Sequence, residues 1–212
     1  MRQTWVLCLT VPVTLEAHAA PVLGAQEERI VDAALRCVAR WGVGKTSLDD
    51  VAREAGYSRA TVYRFFPGGK DGLLEAVAMA EVGRAFSTIG ARLDQATTLE
   101  DLIVGGMTTA ACLITDHKPL QFLLANEPEV VLPRISFHEA DAVLGTISAF
   151  TAPYLARFLD SDVDPYRAAE WLARIVLSYV CSPSPAVDMQ DEASVRSLVQ
   201  SFVLPGLEVH NK

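Results

Sequence analysis

The stretch Thr46–Lys70, TSLDDVAREAGYSRATVYRFFPGGK, decides how this chain is read. Ser47 is suited to cap a helix, and Asp50 three residues on offers a carboxylate to the positive helix start. Leu48, Val51, Ala52 and Ala55 recur at helical spacing on one face. Gly56 supplies the left-handed conformation in which helices commonly end. Ser58 can cap a second helix, whose apolar positions are Ala60, Val62, Phe65 and Phe66. The connection Gly56-Tyr57-Ser58 has the length of a helix-turn-helix turn. Arg59, Thr61, Tyr63 and Arg64 fall on the other side of the second helix, and such side chains donate to phosphates and base edges.

Helices are expected on both sides of this pair. Gln26–Trp41 carries Ile30, Ala34, Val38 and Trp41 at helical spacing, and Gly42-Val43-Gly44 should end it. Pro67-Gly68-Gly69 closes the second helix of the pair. A long helix starts near Lys70 and buries Leu74, Val77, Ala78, Val82, Ala85, Phe86 and Ile89.

These residues resemble the DNA-binding head of TetR-family transcriptional regulators. The match lies in the helix Arg29–Trp41, the entry Thr46-Ser47-Leu48, Val51 to Gly56, Ser58 to Tyr63, Phe66 and Lys70. It covers roughly residues 26–75 at motif level; beyond them the likeness is an all-helical pattern of suitable length. The resemblance implies an all-α chain, with a three-helix head followed by a helical bundle for ligand binding and dimerisation. It places DNA contacts at Ser47, Tyr57, Ser58, Arg59, Thr61, Tyr63, Arg64 and Lys70. Lys70 follows Tyr63 by seven residues, one more than in many relatives. Asp49 and Asp50 are assigned no contact.

Charge supports a head that differs from the body. The whole chain carries −8, but residues 26–70 hold eight Lys/Arg and six Asp/Glu, a balance of +2. Residues 71–212 hold nine and nineteen, a balance of −10. Attraction to DNA is thus confined to one end. So mild a basic head needs two copies on one duplex for useful affinity.

The body reads as further helices: one opening at Thr98-Leu99-Glu100-Asp101, a short one over Pro119–Asn126, one over about Ser136–Leu159 containing Pro153, and a penultimate one starting at Asp164-Pro165. Pro128 and Pro133 suggest a loop between the second and third of these. The last helix starts near Asp191 and ends at Pro205-Gly206. Expected pocket residues for a small, largely apolar effector are Phe86, Met107, Cys112, Phe122, Phe150, Tyr154 and Trp171, with His138 as a further polar contact. The last two helices carry apolar stripes expected to form a dimer interface: Ala169, Leu172, Ala173, Val176 and Val180, then Val195, Leu198, Val199 and Phe202.

The expected division is therefore an arm at 1–25, a DNA-binding head at 26–70, a ligand-binding and dimerisation body at 71–205, and a tail at 206–212. The arm loosely mimics a signal peptide, but Pro12 interrupts its apolar run and a single charge precedes it. A disordered arm or an upstream extension is the preferred reading. An exported helical binding protein is the remote alternative.

Cys8, Cys37, Cys112 and Cys181 are scattered, as are His18, His117, His138 and His210. Their spacing suits neither a bridge nor a metal. No metal or cofactor is expected, the cysteines fit a reducing, cytoplasmic setting, and no phosphate loop or nucleophile elbow suggests an enzyme. The functional expectation is a dimeric repressor released from a palindromic operator by a small effector. A DNA-binding regulator without an inducer, or an activator, is the alternative.

Overall fold

The computed structural model describes residues 23–135 and 140–207, with side chains at 23–132 and 141–207. Residues 1–22 of the expected arm, with Cys8 and His18, and also His138 and His210, lie outside them, whereas Ala25, the last residue of that arm, already opens the first helix. The described residues form helices α1 (Ala25–Lys45), α2 (Leu48–Ala55), α3 (Arg59–Phe65), α4 (Gly69–Leu93), α5 (Leu99–Asp116), α6 (Lys118–Asn126), α7 (Pro128–Ile135), α8 (Ala140–Leu155), α9 (Pro165–Cys181), α10 (Glu192–Leu198) and α11 (Leu204–Leu207). A π-helical turn, Val199–Val203, joins the last two. Among the described residues the only β-pairing is an isolated bridge between Ser184 and Val187. No described helix is long and apolar enough to cross a membrane.

By packing, the chain divides into two compact units. The first takes the described residues up to Arg84 together with 117–143; the second takes 85–116 and the residues from Leu144 on. The expected boundary at residue 70 puts α6 and α7 with the body, whereas the structure packs them with the helix-turn-helix. Contacts far apart in sequence decide this: the Glu127 carboxylate, just past α6, accepts hydrogen bonds from the backbone of Val43 and Gly44.

In the first unit, Ile30, Val31, Ala34 and Cys37 of α1 meet Leu48, Val51 and Ala52 of α2, Val62 of α3, and Leu73 and Val77 of α4. Ile30, Val31 and Val62 are fully buried. Each such side chain contributes roughly 1.5–3 kcal/mol by leaving water. The expected break after Trp41 is present as a kink: Gly42 sits at φ +82° inside α1. The buried Thr46 hydroxyl donates to the Gly42 carbonyl, 2.6 Å away, and secures the bend.

The second unit gathers Leu102, Val104 and Met107 of α5, Leu155 of α8, Ala169, Leu172 and Val176 of α9, and Val195, Val199 and Val203 further on. Asp164 caps α9 by accepting from the Tyr166 N–H, and Asp191 caps α10 by accepting from that of Ser194.

Three local expectations change. Pro128 and Pro133 do not punctuate a loop but lie in α7, with Pro128 at the first helical position where a missing N–H costs nothing. Pro153 falls in the last turn of α8, which ends at Leu155. The last helix continues past Pro205 to Leu207. The preceding π turn, in which the Leu204 N–H reaches Val199, is wide enough to absorb a residue that donates no hydrogen bond.

Candidate nucleic-acid interface

The local chemistry of α2 and α3 builds a rigid platform. Ser47 caps α2, its hydroxyl accepting from the Asp50 N–H at 3.2 Å, and the Asp50 carboxylate accepts from the Ser47 N–H at 3.2 Å. This reciprocal box holds the Asp50 carboxyl below its usual range, chiefly through the Ser47 hydroxyl. Gly56 ends α2 at φ +74°, and nothing lies within 4 Å of where a Cβ would stand, so backbone conformation alone selects glycine there. Ser58 caps α3, accepting from the Thr61 N–H at 3.1 Å, and its hydroxyl pairs with that of Thr61 at 2.9 Å. Arg36 of α1 reaches Glu54 of α2 at 2.8 Å and fixes α1 to the pair.

With Val62 facing inward, α3 turns Arg59, Ala60, Tyr63 and Arg64 to solvent. Ala60 was expected among the inward positions. It lies on the outer face because it shares a helical face with Tyr63 and Arg64. Tyr63 is 41% exposed, much for a large aromatic side chain. The Arg59 guanidinium lies 5.5 Å from the Tyr63 ring centre and donates to Asp49 of α2 at 2.9 Å. Hydrogen bonding to Tyr63 and the nearby Asp49 charge raise its pKa above the ordinary arginine value. Arg64 lies over the Phe65 ring at 5.0 Å.

Tyr57 stands apart from this face. It is half-buried against the unit's core, beneath the Arg29 guanidinium at 5.4 Å. Lys70 also turns away from the expected direction. Its ammonium donates to the Val43 carbonyl at 2.7 Å and to that of Gly44 at 3.4 Å. Burial pushes its pKa down, partly opposed by Asp71 and Glu127. The face thus gathers Ser58, Arg59, Thr61, Tyr63 and Arg64. Asp49, given no role from the sequence, joins it. Only its position three residues before Ala52 on α2, opposite the start of α3, hinted at this.

Of the described residues expected to line an effector pocket, all but Phe122 belong to the second unit, and Phe86, Met107, Phe150 and Tyr154 share its core cluster. In the second unit Phe86 and Phe150 stack with ring centres 4.4 Å apart and planes 4° apart, and Tyr154 lies 5.6 Å from Phe150. Met107 is buried in the same unit's core, and Cys112 is half-buried on α5. Phe122 lies instead in the first unit, against Gly42. Trp171 is 39% exposed beside Gly206. Two hydroxyls not singled out from the sequence stand out: Thr108 Oγ1 and Ser148 Oγ are buried without a hydrogen-bond partner among the described residues. Thr151, by contrast, donates to the Ile147 carbonyl at 2.8 Å.

The expected dimer stripes are largely spent within one chain. Ala169, Leu172, Ala173, Val176, Val195 and Val199 are buried in the core, where α9 packs on α5. Val180 and Leu198 are half-buried, and Phe202 is 72% exposed. Among the described residues no cluster of His, Cys, Asp or Glu is placed to hold a metal.

Comparison with known proteins agrees with this geometry. Residues 30–77, spanning α1 to the start of α4, match the model of bacterial regulatory proteins, tetR family. An uncharacterized HTH-type transcriptional regulator of Mycobacterium tuberculosis is 25% identical over 180 residues, which are 84% of this chain and 83% of that protein. The TetR family repressor AlkX of a Dietzia strain, implicated in biodegradation of n-alkanes, superposes with a TM-score of 0.57 at 22% identity, over 86% of this chain and 95% of that one. The regulator FadR of Bacillus subtilis, solved with stearoyl-CoA, does so with 0.54 at 15% identity, over 82% and 97%. The capped helix pair with its exposed arginine and tyrosine face thus lies in the part of the chain that matches the tetR family of bacterial regulatory proteins, and over most of its length the chain is similar to HTH-type transcriptional regulators.

Proposed function

We propose that the protein is a dimeric repressor that reads a palindromic operator through α3 and is released by a small, largely apolar effector. The observation that carries the DNA part is the face of α3: Arg59, Thr61, Tyr63 and Arg64 on a helix capped at Ser58 and backed by buried Val62. One such helix spans only a few base pairs, so two heads on a two-fold site supply affinity and specificity. Ser47, Ser58, Tyr63 and Arg64 hold phosphates, and Arg59 reads a base. Tyr57 and Lys70 support the platform from behind.

For the dimer, the exposed residues Trp171 and Phe202 replace the buried stripe as the favoured contacts. Functionally the chain divides as head 26–70 and body 71–205, with α6 and α7 attached to the head by packing. Effector binding in the body is supported by the Phe86–Phe150 stack and by the unpartnered hydroxyls of Thr108 and Ser148, buried polar groups that a ligand would satisfy. FadR's stearoyl-CoA suggests a long acyl chain as the first probe. The effector acts by its differential affinity for the DNA-competent and released states.

The test is a fluorescence-anisotropy titration on the DNA beside the gene and on duplexes selected from random sequence, across a salt series. Expected are specific binding with two subunits per site, its loss in Tyr63→Ala, and its weakening by stearoyl-CoA or a related acyl thioester. Salt-labile binding without sequence preference would sink the operator reading. Unchanged operator affinity across an acyl and alkane panel would sink the proposed effector class.

A further inference from the structure

The geometry points to Asp49 as a specificity determinant: its carboxylate buttresses Arg59 so that the guanidinium meets one guanine in each half-site. This rests on the reading that α3 enters the major groove. Arg59 opens α3, where the positive end of the helix disfavours a cation. Asp49 offsets this from α2, with Oδ2 2.9 Å from the guanidinium. The Tyr63 ring, one turn further along α3, covers it at 5.5 Å. Both side chains of the pair remain more than half exposed, 56% for Arg59 and 54% for Asp49. The pair is therefore placed to face a ligand rather than to hold the fold together.

A guanidinium presents five N–H donors in a rigid planar fork. Asp49 and Tyr63 occupy only part of that fork. The remainder suits the paired acceptors N7 and O6 of guanine. Charge separates this role from phosphate binding. Arg59 with Asp49 is close to neutral, and an exposed carboxylate repels a phosphate brought against it. The edge of a base carries no net charge and suffers no such repulsion. Arg64 shows the contrast: it lies over Phe65 with no carboxylate partner among the described residues, the arrangement of a phosphate anchor. Holding Arg59 still before DNA arrives also removes rotamers that would meet other bases, which is how pre-organisation becomes discrimination.

The experiment selects binding sites from random duplex DNA with the wild-type protein, Asp49→Ala and Arg59→Ala. Every single-base variant of the selected site is then titrated. Wild type is expected to prefer guanine at one position of each half-site by about tenfold or more. Arg59→Ala loses that preference at that position alone. Asp49→Ala cuts it by roughly three- to tenfold, keeps the other positions, and binds random DNA more tightly with a steeper salt dependence. Equal thermal midpoints would show that the variants fold alike. An Asp49→Ala profile identical to wild type, a uniform loss at all positions, or an Arg59 preference for a base other than guanine would overturn the inference. Selection of no sequence by the wild type would instead bring down the operator reading, and this inference with it.

Discussion

Glu127, the residue that ends α6, binds the backbone N–H of Val43 at 2.9 Å, across 84 positions of sequence. Its other carboxylate oxygen takes the Gly44 N–H at 3.2 Å. The two amides point the same way because Gly42 before them takes φ +82°, and successive N–H groups so arranged form an anion-binding nest. On the carbonyl side of the same loop, Lys70 donates to Val43 and Gly44. One acidic residue and one basic residue thus clamp the bend near the end of α1.

Removing the carboxylate should loosen that bend. Glu127→Ala is expected to cost about 2 kcal/mol in urea unfolding, the scale of hydrogen bonds to a charged group. Gly42→Ala should cost at least about 1 kcal/mol, because its Cβ would collide with Glu127 and alanine resists positive φ. A neutral result for both would mean that the clamp does not contribute to folding.

Arg64 should act as a phosphate anchor. Arg64→Ala is expected to weaken binding to every duplex by a similar factor and to lower the salt slope by about one for each head. A change confined to one base position would make Arg64 a reader instead.

The pH dependence of stability has a definite sign at Glu81. Its carboxyl is held below the ordinary value of about 4.5, first by the hydrogen bond from His117 at 2.6 Å and then by Arg84. The depressed folded value means that this stabilisation is complete above pH 4.5 and is lost as pH falls through the folded value. Glu81→Gln should therefore destabilise at neutral pH and flatten the acid limb of the stability curve, followed by thermal melts between about pH 3 and 7. An acid limb as steep as that of wild type would place the effect on other carboxylates.

Ser148 offers a test of the proposed effector site. Ser148→Ala removes a buried hydroxyl that makes no hydrogen bond among the described residues, so unliganded protein should be unchanged or gain up to about 1 kcal/mol. The same variant should lose thermal stabilisation by an acyl thioester. A destabilisation above about 2 kcal/mol would reveal a partner for that hydroxyl in solution.

Phe202→Asp should disrupt the proposed dimer. Phe202 is 72% exposed, so the charge costs the monomer fold little, and light scattering should report half the mass. Operator affinity should fall by about two orders of magnitude as the second head is lost. An intact dimer would place the interface elsewhere.

The helix-turn-helix was legible because its signals are local. Ser47 and Ser58 cap within three residues, Gly56 ends α2 through its own backbone, and the apolar spacing of Leu48, Val51 and Ala55 marks one face without reference to the rest of the chain. The all-helical class follows from the same periodicity. Tertiary structure alone decided what depends on residues distant in sequence. It attached α6 and α7 to the head, drew Lys70 onto the Val43 carbonyl, and paired Asp49 with Arg59 across the turn. It also spent Ala169, Leu172 and Val176 on the chain's own core while leaving Phe202 outside. Periodicity records that a helix has an apolar face but not what covers it, and an ion pair needs two side chains whose separation is set only once their helices have packed.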